Sequence, residues 1–321
     1  MDRTPDVISV GSTMLRLSVP PGERLETAAH FEVRTAGTES NTMVALARMG
    51  FRTAWVSRLT DNPLGRRIAF DIGRHGVDVS RIIWTGEGRN ELFFVEYGAR
   101  PRPIKVIYDR WPSAAASMSL ADLDQDYILS GRVLHLTGIL AALSPDCAGL
   151  VLELLKKAGQ AGVVTSFDLN YRARLWPPQR AKKVLEPMLE LADLIFITQE
   201  DTVGVLGRGE GAEEAVAAIQ ARYKPRAVVM TLGSKGGLAF DGREFLAVKG
   251  YEVEILDRLG AGDAFSAGVL AGFLEGSLER GMEYGAAMAA LKLGIKGDYF
   301  VSDRNEVEEL MGAGGKREVG R

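Results

Sequence analysis

The stretch Asp257-Arg258-Leu259-Gly260-Ala261-Gly262-Asp263-Ala264-Phe265 decides how the rest of the chain is understood. Two glycines and an alanine precede an acid, and the acid opens an apolar run through Val269, Leu270, Phe273 and Leu274. A helix that is apolar all round is a buried helix. Gly268 and Gly272 make a small-residue stripe on it, where a second element can approach closely. Gly260 and Gly262 lack side chains, so their N–H groups can converge on an anion, and the positive end of the helix dipole strengthens that field. An acid beside an anion hole repels the anion. The pairing makes sense if Asp263 handles a proton while the hole holds a phosphoryl group. On its own the stretch also fits a glycine turn with Asp263 as the helix cap.

The remainder of the chain narrows the choice. Its 321 residues suffice for one large or two ordinary domains, and 46% hydrophobic with 25% charged residues is ordinary for a globular protein. A net charge of −3 points to neither nucleic acid nor an anionic membrane. Cys147 is the single cysteine, so no intrachain disulfide can form, and a reducing cytoplasm is the expected location. Residues 1–12 are polar and mixed, unlike a signal peptide, and no apolar run is long enough to span a membrane. The three histidines are scattered and no cysteine pair exists, which argues against zinc.

Residues 6–11 form an apolar run ending at a glycine turn, which predicts a buried first strand. Residues 14–19 and 31–34 alternate like half-exposed strands. Ala36-Gly37-Thr38-Glu39-Ser40-Asn41 leads into a helix closed by Gly50, and Ala54–Ser57 is a second buried strand. A helix is expected over 63–76. Residues 91–97 and 105–110 predict a long-looped hairpin. From residue 130 short apolar strands at 133–136, 163–168, 194–197 and 227–231 alternate with helical stretches near 144–160, 179–191, 211–223 and 263–275. That rhythm implies right-handed crossovers and a parallel sheet covered on both faces. A hairpin around Asp241-Gly242 and a helix over 281–296 follow, and 312–321 is expected to be a disordered tail. The expected architecture is one doubly wound α/β domain over 1–311. Strand pairs at about 12–35 and 90–111 are placed as a small sheet over the carboxyl ends of the core strands, where such sheets bind ligands. That small sheet could also pair with a second subunit.

Thr231-Leu232-Gly233-Ser234-Lys235-Gly236-Gly237 follows a buried strand but is not a Walker A loop. It fits a hairpin turn, or a backbone running close to a nucleotide. Gly11-Ser12-Thr13 supplies no dinucleotide fingerprint after the first strand, so a nicotinamide enzyme is discounted.

With these segments in place, the chain resembles the ribokinase-like (PfkB) carbohydrate kinase family from residue 6 to about 310. Gly260-Ala261-Gly262-Asp263-Ala264-Phe265 after Asp257 is that family's C-terminal signature, and Ala36-Gly37, Asn41 and Gly50 match its N-terminal one more loosely. Departures are Met43 for a small residue, Thr60 for a glycine and Arg258-Leu259 for two small residues. Within the family the chain is similar to 2-keto-3-deoxygluconate kinases through segments 88–97, 106–110, 134–139, 166–172 and 296–298.

The resemblance implies a ribokinase-like doubly wound fold with a β-sheet lid, and phosphorylation of a sugar acid by ATP with Mg²⁺, a monovalent cation being left open. It implies Asp263 as the base with Gly260, Ala261 and Gly262 as the catalytic anion hole. Gly37, Asn41, Phe93, Tyr108, Arg110, Ile139, Arg172, Asp263 and Asp298 would surround the sugar acid, Phe93 standing where a tyrosine is frequent. Thr231, Gly233, Gly236, Gly260 and Gly262 would meet the nucleotide. Glu200 resembles the acid that holds metal through water, although Ile197 stands where an asparagine is usual. A carboxylate on the substrate would explain Arg110 and Arg172, whose planar forks bind carboxylates in bidentate fashion. Tyr108 alternatively is a strand aromatic, Asn41 a helix cap and His135 a packed strand residue. The expected partners are the sugar acid and ATP, with no nucleic acid or membrane, and a homo-oligomer formed through the lid or a larger assembly. A kinase for a neutral sugar or nucleoside is the first alternative. A catalytically silent sugar-binding protein is the second, although binding alone has no need of the base.

Overall fold

Val7-Ile8-Ser9-Val10 carries no charge, and every residue in it is buried, as a strand in the middle of a parallel sheet requires. The computed structural model describes residues 4–98 and 101–312. The chain runs β1 (Val7–Val10), β2 (Met14–Ser18), β3 (Glu32–Ala36), α1 (Thr38–Arg48), β4 (Thr53–Val56), β5 (Arg58–Thr60), α2 (Pro63–Gly73), β6 (Ile83–Thr85), β7 (Leu92–Glu96) and β8 (Lys105–Asp109). It continues with α3 (Gln125–Ile128), β9 (Val133–Thr137), α4 (Gly138–Leu143), α5 (Pro145–Gln160), β10 (Val164–Asp168), α6 (Pro178–Leu189), β11 (Leu194–Thr198), α7 (Gln199–Gly204), α8 (Ala212–Tyr223) and β12 (Ala227–Thr231). It closes with β13 (Gly237–Phe240), β14 (Phe245–Val248), α9 (Ala261–Leu274), α10 (Leu278–Leu293) and α11 (Arg304–Gly312).

Eight strands form one sheet in the order β14-β13-β12-β11-β10-β9-β1-β4. The six from β12 to β4 are parallel, and β13 and β14 add an antiparallel edge. Apolar layers cover both faces. Ile8 and Val10 pack with residues of α4, α5, α6 and α8, while Val7 packs with α1, α2, α9 and α10. The chain moves outward one way from β1 to β4 and the other way from β9 to β12. The topological switch therefore falls between β1 and β9, where α/β sheets open a ligand crevice.

The four remaining longer strands form a separate sheet in the order β3-β2-β7-β8, joining the two segments expected to make the lid. Register places Phe93 opposite Tyr108 on one face, and Val33, Leu17, Phe94 and Ile107 in a row on the other. A two-stranded sheet of β5 and β6 was not foreseen. Helix bounds moved where capping decided them. Ser277 accepts a hydrogen bond from the Arg280 N–H, so α10 starts at 278 rather than 281. Ser144 caps α5 and separates it from α4. Residues 313–321, and with them nearly all of the expected disordered tail, lie outside the described residues.

Helix α9 packs on α10 through the glycine stripe. A Cβ on Gly268 would lie 2.4 Å from the Gly285 N, and one on Gly272 would lie 2.2 Å from the Gly281 N, so the backbones meet with no side chain between them. This contact fixes where the amino end of α9 lies.

Candidate active site

Gly260, not Asp263, is the N-cap of α9. It adopts the left-handed conformation at φ 84°, and a Cβ there would fall 1.9 Å from the Asp298 carbonyl oxygen. Only glycine fits that position. Helix α9 thus starts at Ala261, and Asp263 is released from capping to point across to α1. The Thr38 hydroxyl donates to one Asp263 carboxylate oxygen at 2.5 Å, and the Asn41 amide donates to the other at 2.6 Å. Asn41 is likewise not the cap of α1, a place taken by Gly37. It sits inside the helix, and its amide oxygen accepts from the Gly37 N–H at 3.3 Å. Behind Thr38, the Asn170 amide donates to the Thr38 hydroxyl at 3.0 Å and to Asp168 at 3.2 Å. Asn170 holds a positive φ of 41° to do so.

Burial pushes the Asp263 pKa above the usual carboxylate range, against the opposing hydrogen bonds from Thr38 and Asn41. Asp168 is also raised, to about 8, by burial and by the neighbouring Asp263 and Asp201 carboxylates, while Arg172 pulls it down. Asp298 is raised to about 6 by burial, against the pull of Arg16, and buried acids pushed upward where a cleft is lined by Asp263 and Asp298 mark a functional site.

Two cavities meet at the amino end of α9. The first, about 580 Å³, is lined by all nine residues expected around a sugar acid: Gly37, Asn41, Phe93, Tyr108, Arg110, Ile139, Arg172, Asp263 and Asp298. Gly260 belongs to this side. The second, about 740 Å³, takes Thr231, Gly233, Gly236, Ala261 and Gly262, with Tyr251, Val253, Ile255 and Phe265 supplying apolar surface. The first turn of α9 is therefore the wall between a polar, arginine-bearing cavity roofed by the small sheet and a largely apolar one of nucleotide size.

The two arginines differ. Arg110 is almost buried: its Nε donates to Glu91 at 2.6 Å and one terminal nitrogen donates to Ser12 at 3.0 Å. Arg172 is exposed, and its side chain makes no hydrogen bond or ion pair among the described residues. Arg174, which the sequence reading missed, also lines the cavity. It donates to the Val106 carbonyl and lies over the Tyr108 ring at 5.8 Å, tying the loop after β10 to the small sheet. Tyr108 itself stacks on Phe93 at 5.7 Å. His135 is a packed strand residue; its ring is within 2.9 Å of the Ser166 hydroxyl, and burial lowers its pKa to about 4.

Glu200 lines neither cavity. It is exposed in the first turn of α7, beside Asp201. Among the described residues no group of three acidic, histidine or cysteine side chains converges to cage a metal. An ion held chiefly by phosphate oxygens and water, as Mg²⁺ is, needs no such cage. No helix among the described residues is long and apolar enough to cross a membrane.

Comparison with known proteins agrees with this geometry. Residues 4–304 match the pfkB family carbohydrate kinase. The chain is 37% identical over 312 residues to a 2-dehydro-3-deoxygalactonokinase of Haloferax volcanii, covering 97% of this chain and 98% of that one. It is 31% identical to a 2-dehydro-3-deoxygluconokinase of Bacillus subtilis over 83% of this chain and 82% of that one. The crystal structure of 2-dehydro-3-deoxygluconokinase from Thermotoga maritima superposes with a TM-score of 0.91 at 35% identity, covering 97% of this chain and 99% of that one. The chain belongs to the pfkB family: it is a carbohydrate kinase, an enzyme whose substrates are a sugar and ATP.

Proposed function

We propose that this kinase phosphorylates a primary hydroxyl of a 2-keto-3-deoxy sugar acid, most simply O6 of 2-keto-3-deoxygluconate. The observation that carries the reading is the pair of arginines, Arg110 and Arg172, in the same cavity as Asp263. A neutral sugar offers two guanidinium groups only neutral acceptors, whereas a carboxylate matches their charge and accepts their planar forks. The names of the Haloferax, Bacillus and Thermotoga relatives support the same substrate class, in both the gluconate and galactonate configurations.

In this reading Asp263 accepts the hydroxyl proton as the oxygen attacks the γ-phosphorus, and the bond to ADP breaks. Burial raises its pKa and so strengthens it as a proton acceptor. Thr38 and Asn41 hold the carboxylate, and Asn170 holds Thr38. The N–H groups of Gly260 to Gly262 face the transferring phosphoryl oxygens, so catalysis is mostly positioning and electrostatic stabilisation. Mg²⁺, when bound, neutralises phosphate charge, with Glu200 the candidate to reach it through water. The β3-β2-β7-β8 sheet acts as a lid within the same domain and keeps water from the phosphoryl group. Its outer row Val33, Leu17, Phe94 and Ile107 is apolar, with Ile107 43% exposed, which supports dimerisation through the lid.

The test is Asp263→Asn, which keeps size; its amide oxygen can still accept from Asn41, while its NH2 replaces the acceptor that faces Thr38, whose hydroxyl must turn to accept. It should lower kcat by ~10²–10⁴-fold with ATP affinity nearly intact. Activity within about threefold of wild type would remove Asp263 from the role of base. For the dimer, Phe94→Asp should shift the sedimenting species toward monomer.

A further inference from the structure

Lys292, near the carboxyl end of α10, has no exposed surface. Its ammonium donates to the carbonyl oxygens of Ile295 at 3.1 Å and Asp257 at 3.4 Å. Burial lowers its pKa, while the Asp257 and Asp298 carboxylates raise it. A lysine buried without such neighbours would shed its proton.

The surroundings form one charge-balanced cluster. One Asp257 carboxylate oxygen accepts from Arg16 at 2.7 Å, the Tyr97 hydroxyl at 3.0 Å and the Gly297 N–H at 3.0 Å. The other accepts from the Leu259 N–H at 3.2 Å. Arg16 also donates to Asp298 at 2.5 Å, and its side chain is 1% exposed. Two cations, Arg16 and Lys292, thus balance two largely buried carboxylates, of which Asp298 also edges the first cavity.

This cluster lies directly under the loop that opens α9. Asp257 and Leu259 belong to that loop, and Gly260 rests on the Asp298 carbonyl. The Leu256 and Asp257 N–H groups both donate to the Leu293 carbonyl, at 2.9 and 3.2 Å. Lys292 therefore bridges the segment 257–260 to the segment 293–298, the two strips of backbone that set where Gly260 and its neighbours point.

Carbonyl oxygens converging beside two carboxylates are the hard donors a cation takes. A soluble monovalent ion does not fit among them, because the ammonium already occupies the carbonyls and an added charge would unbalance the cluster. We propose that Lys292 is a tethered cation that orders the phosphoryl-binding loop in place of a soluble monovalent ion, so that nucleotide binding and turnover require none. Lys292 is a positioning residue, since it acts through the loop. The inference rests on the phosphoryl-binding role given above to residues 260–262.

The experiment is calorimetric titration of ADP with Mg²⁺ into the whole protein, in potassium chloride and in tetramethylammonium chloride of equal ionic strength. Wild-type affinity should agree within about twofold between the two salts. Lys292→Met keeps the volume and removes the charge; ADP affinity and kcat should fall ~10-fold or more, while KM for the sugar acid changes little. Lys292→Ala opens room for an ion, so potassium should restore part of the loss and tetramethylammonium, being too large, none. The proposal is overturned if wild-type affinity rises severalfold with potassium, if Lys292→Met folds and binds ADP like wild type, or if both salts rescue Lys292→Ala alike. The wild-type comparison stands even where a variant fails to fold. Absence of ADP binding by the wild type in either salt would instead overturn the phosphoryl-loop reading, and this proposal with it.

Discussion

Arg172→Ala separates recognition of the substrate from upkeep of the fold, because Arg172 is exposed and its side chain holds no partner among the described residues. Its removal should change stability by no more than about 0.5 kcal/mol, the usual range for a surface substitution away from such features. If it grips the substrate carboxylate, it supplies a charge-assisted hydrogen bond worth roughly 1.5–3 kcal/mol. At about 1.4 kcal/mol per factor of ten, kcat/KM for 2-keto-3-deoxygluconate should fall about ten- to a hundredfold or more. A second effect must be kept apart from the first. The Arg172 charge also lowers the pKa of Asp263 and Asp168, so its loss raises both. That shifts the acid limb of the rate profile upward for every substrate, and the comparison belongs well above that limb, near pH 9. There a neutral sugar such as fructose should lose almost nothing. Arg172→Lys keeps the charge but not the fork and should recover only part of the loss on the acid. The assay is kcat/KM for both substrates in wild type and the two variants. An equal drop for acid and neutral sugar at high pH would refute the carboxylate clamp and move the neutral-sugar reading ahead.

Arg110 should behave differently, since Arg110→Ala leaves the Glu91 carboxylate, 1% exposed, without its cation and with only the Ser113 hydroxyl still donating to it among the described residues. Thermal or denaturant unfolding should show a loss of about 3–5 kcal/mol, and adding Glu91→Gln should return part of it. Glu39, fully buried with Thr137 donating to one oxygen and no partner on the other, has its pKa raised by burial to about 7. Protonated Glu39 is the form that suits the fold, so its contribution is complete at low pH and is lost as pH rises through about 7. Unfolding free energies of Glu39→Gln and wild type should therefore diverge in favour of the variant between pH 5 and 9, by up to about 3 kcal/mol, and parallel curves would contradict the shift.

The core and much of the site were legible because their signals are local. Gly260-Ala261-Gly262-Asp263 and the stripe Gly268, Gly272 state their constraint within a few residues, and the structure meets it with the Asp298 carbonyl and α10. The nine residues expected around the sugar acid lie in matched segments, and one cavity gathers all of them. Arg16 was missed because a charged residue in an alternating strand ordinarily faces water. Its partners Asp257 and Asp298 lie 241 and 282 residues away, and nothing near it announces them. Lys292 resembled an ordinary basic residue in the last turn of a helix. Thr38 and Asn170 sat inside quoted segments, but their link to Asp263 runs through a hydrogen bond between α1 and the loop after β10. Strands β5 and β6, three residues each, are too short for alternation to show. Glu200 matched on type and order alone, and it lines neither cavity.

The most direct measurement is ADP release from ATP and Mg²⁺ with 2-keto-3-deoxygluconate, its galactonate epimer and fructose as competing acceptors. Two arginine contacts at roughly 1.5–3 kcal/mol each predict that kcat/KM for the better sugar acid exceeds that for fructose by ~10²-fold or more. Turnover of fructose equal to or above that of both acids, or no ADP release with any acceptor, would contradict the account.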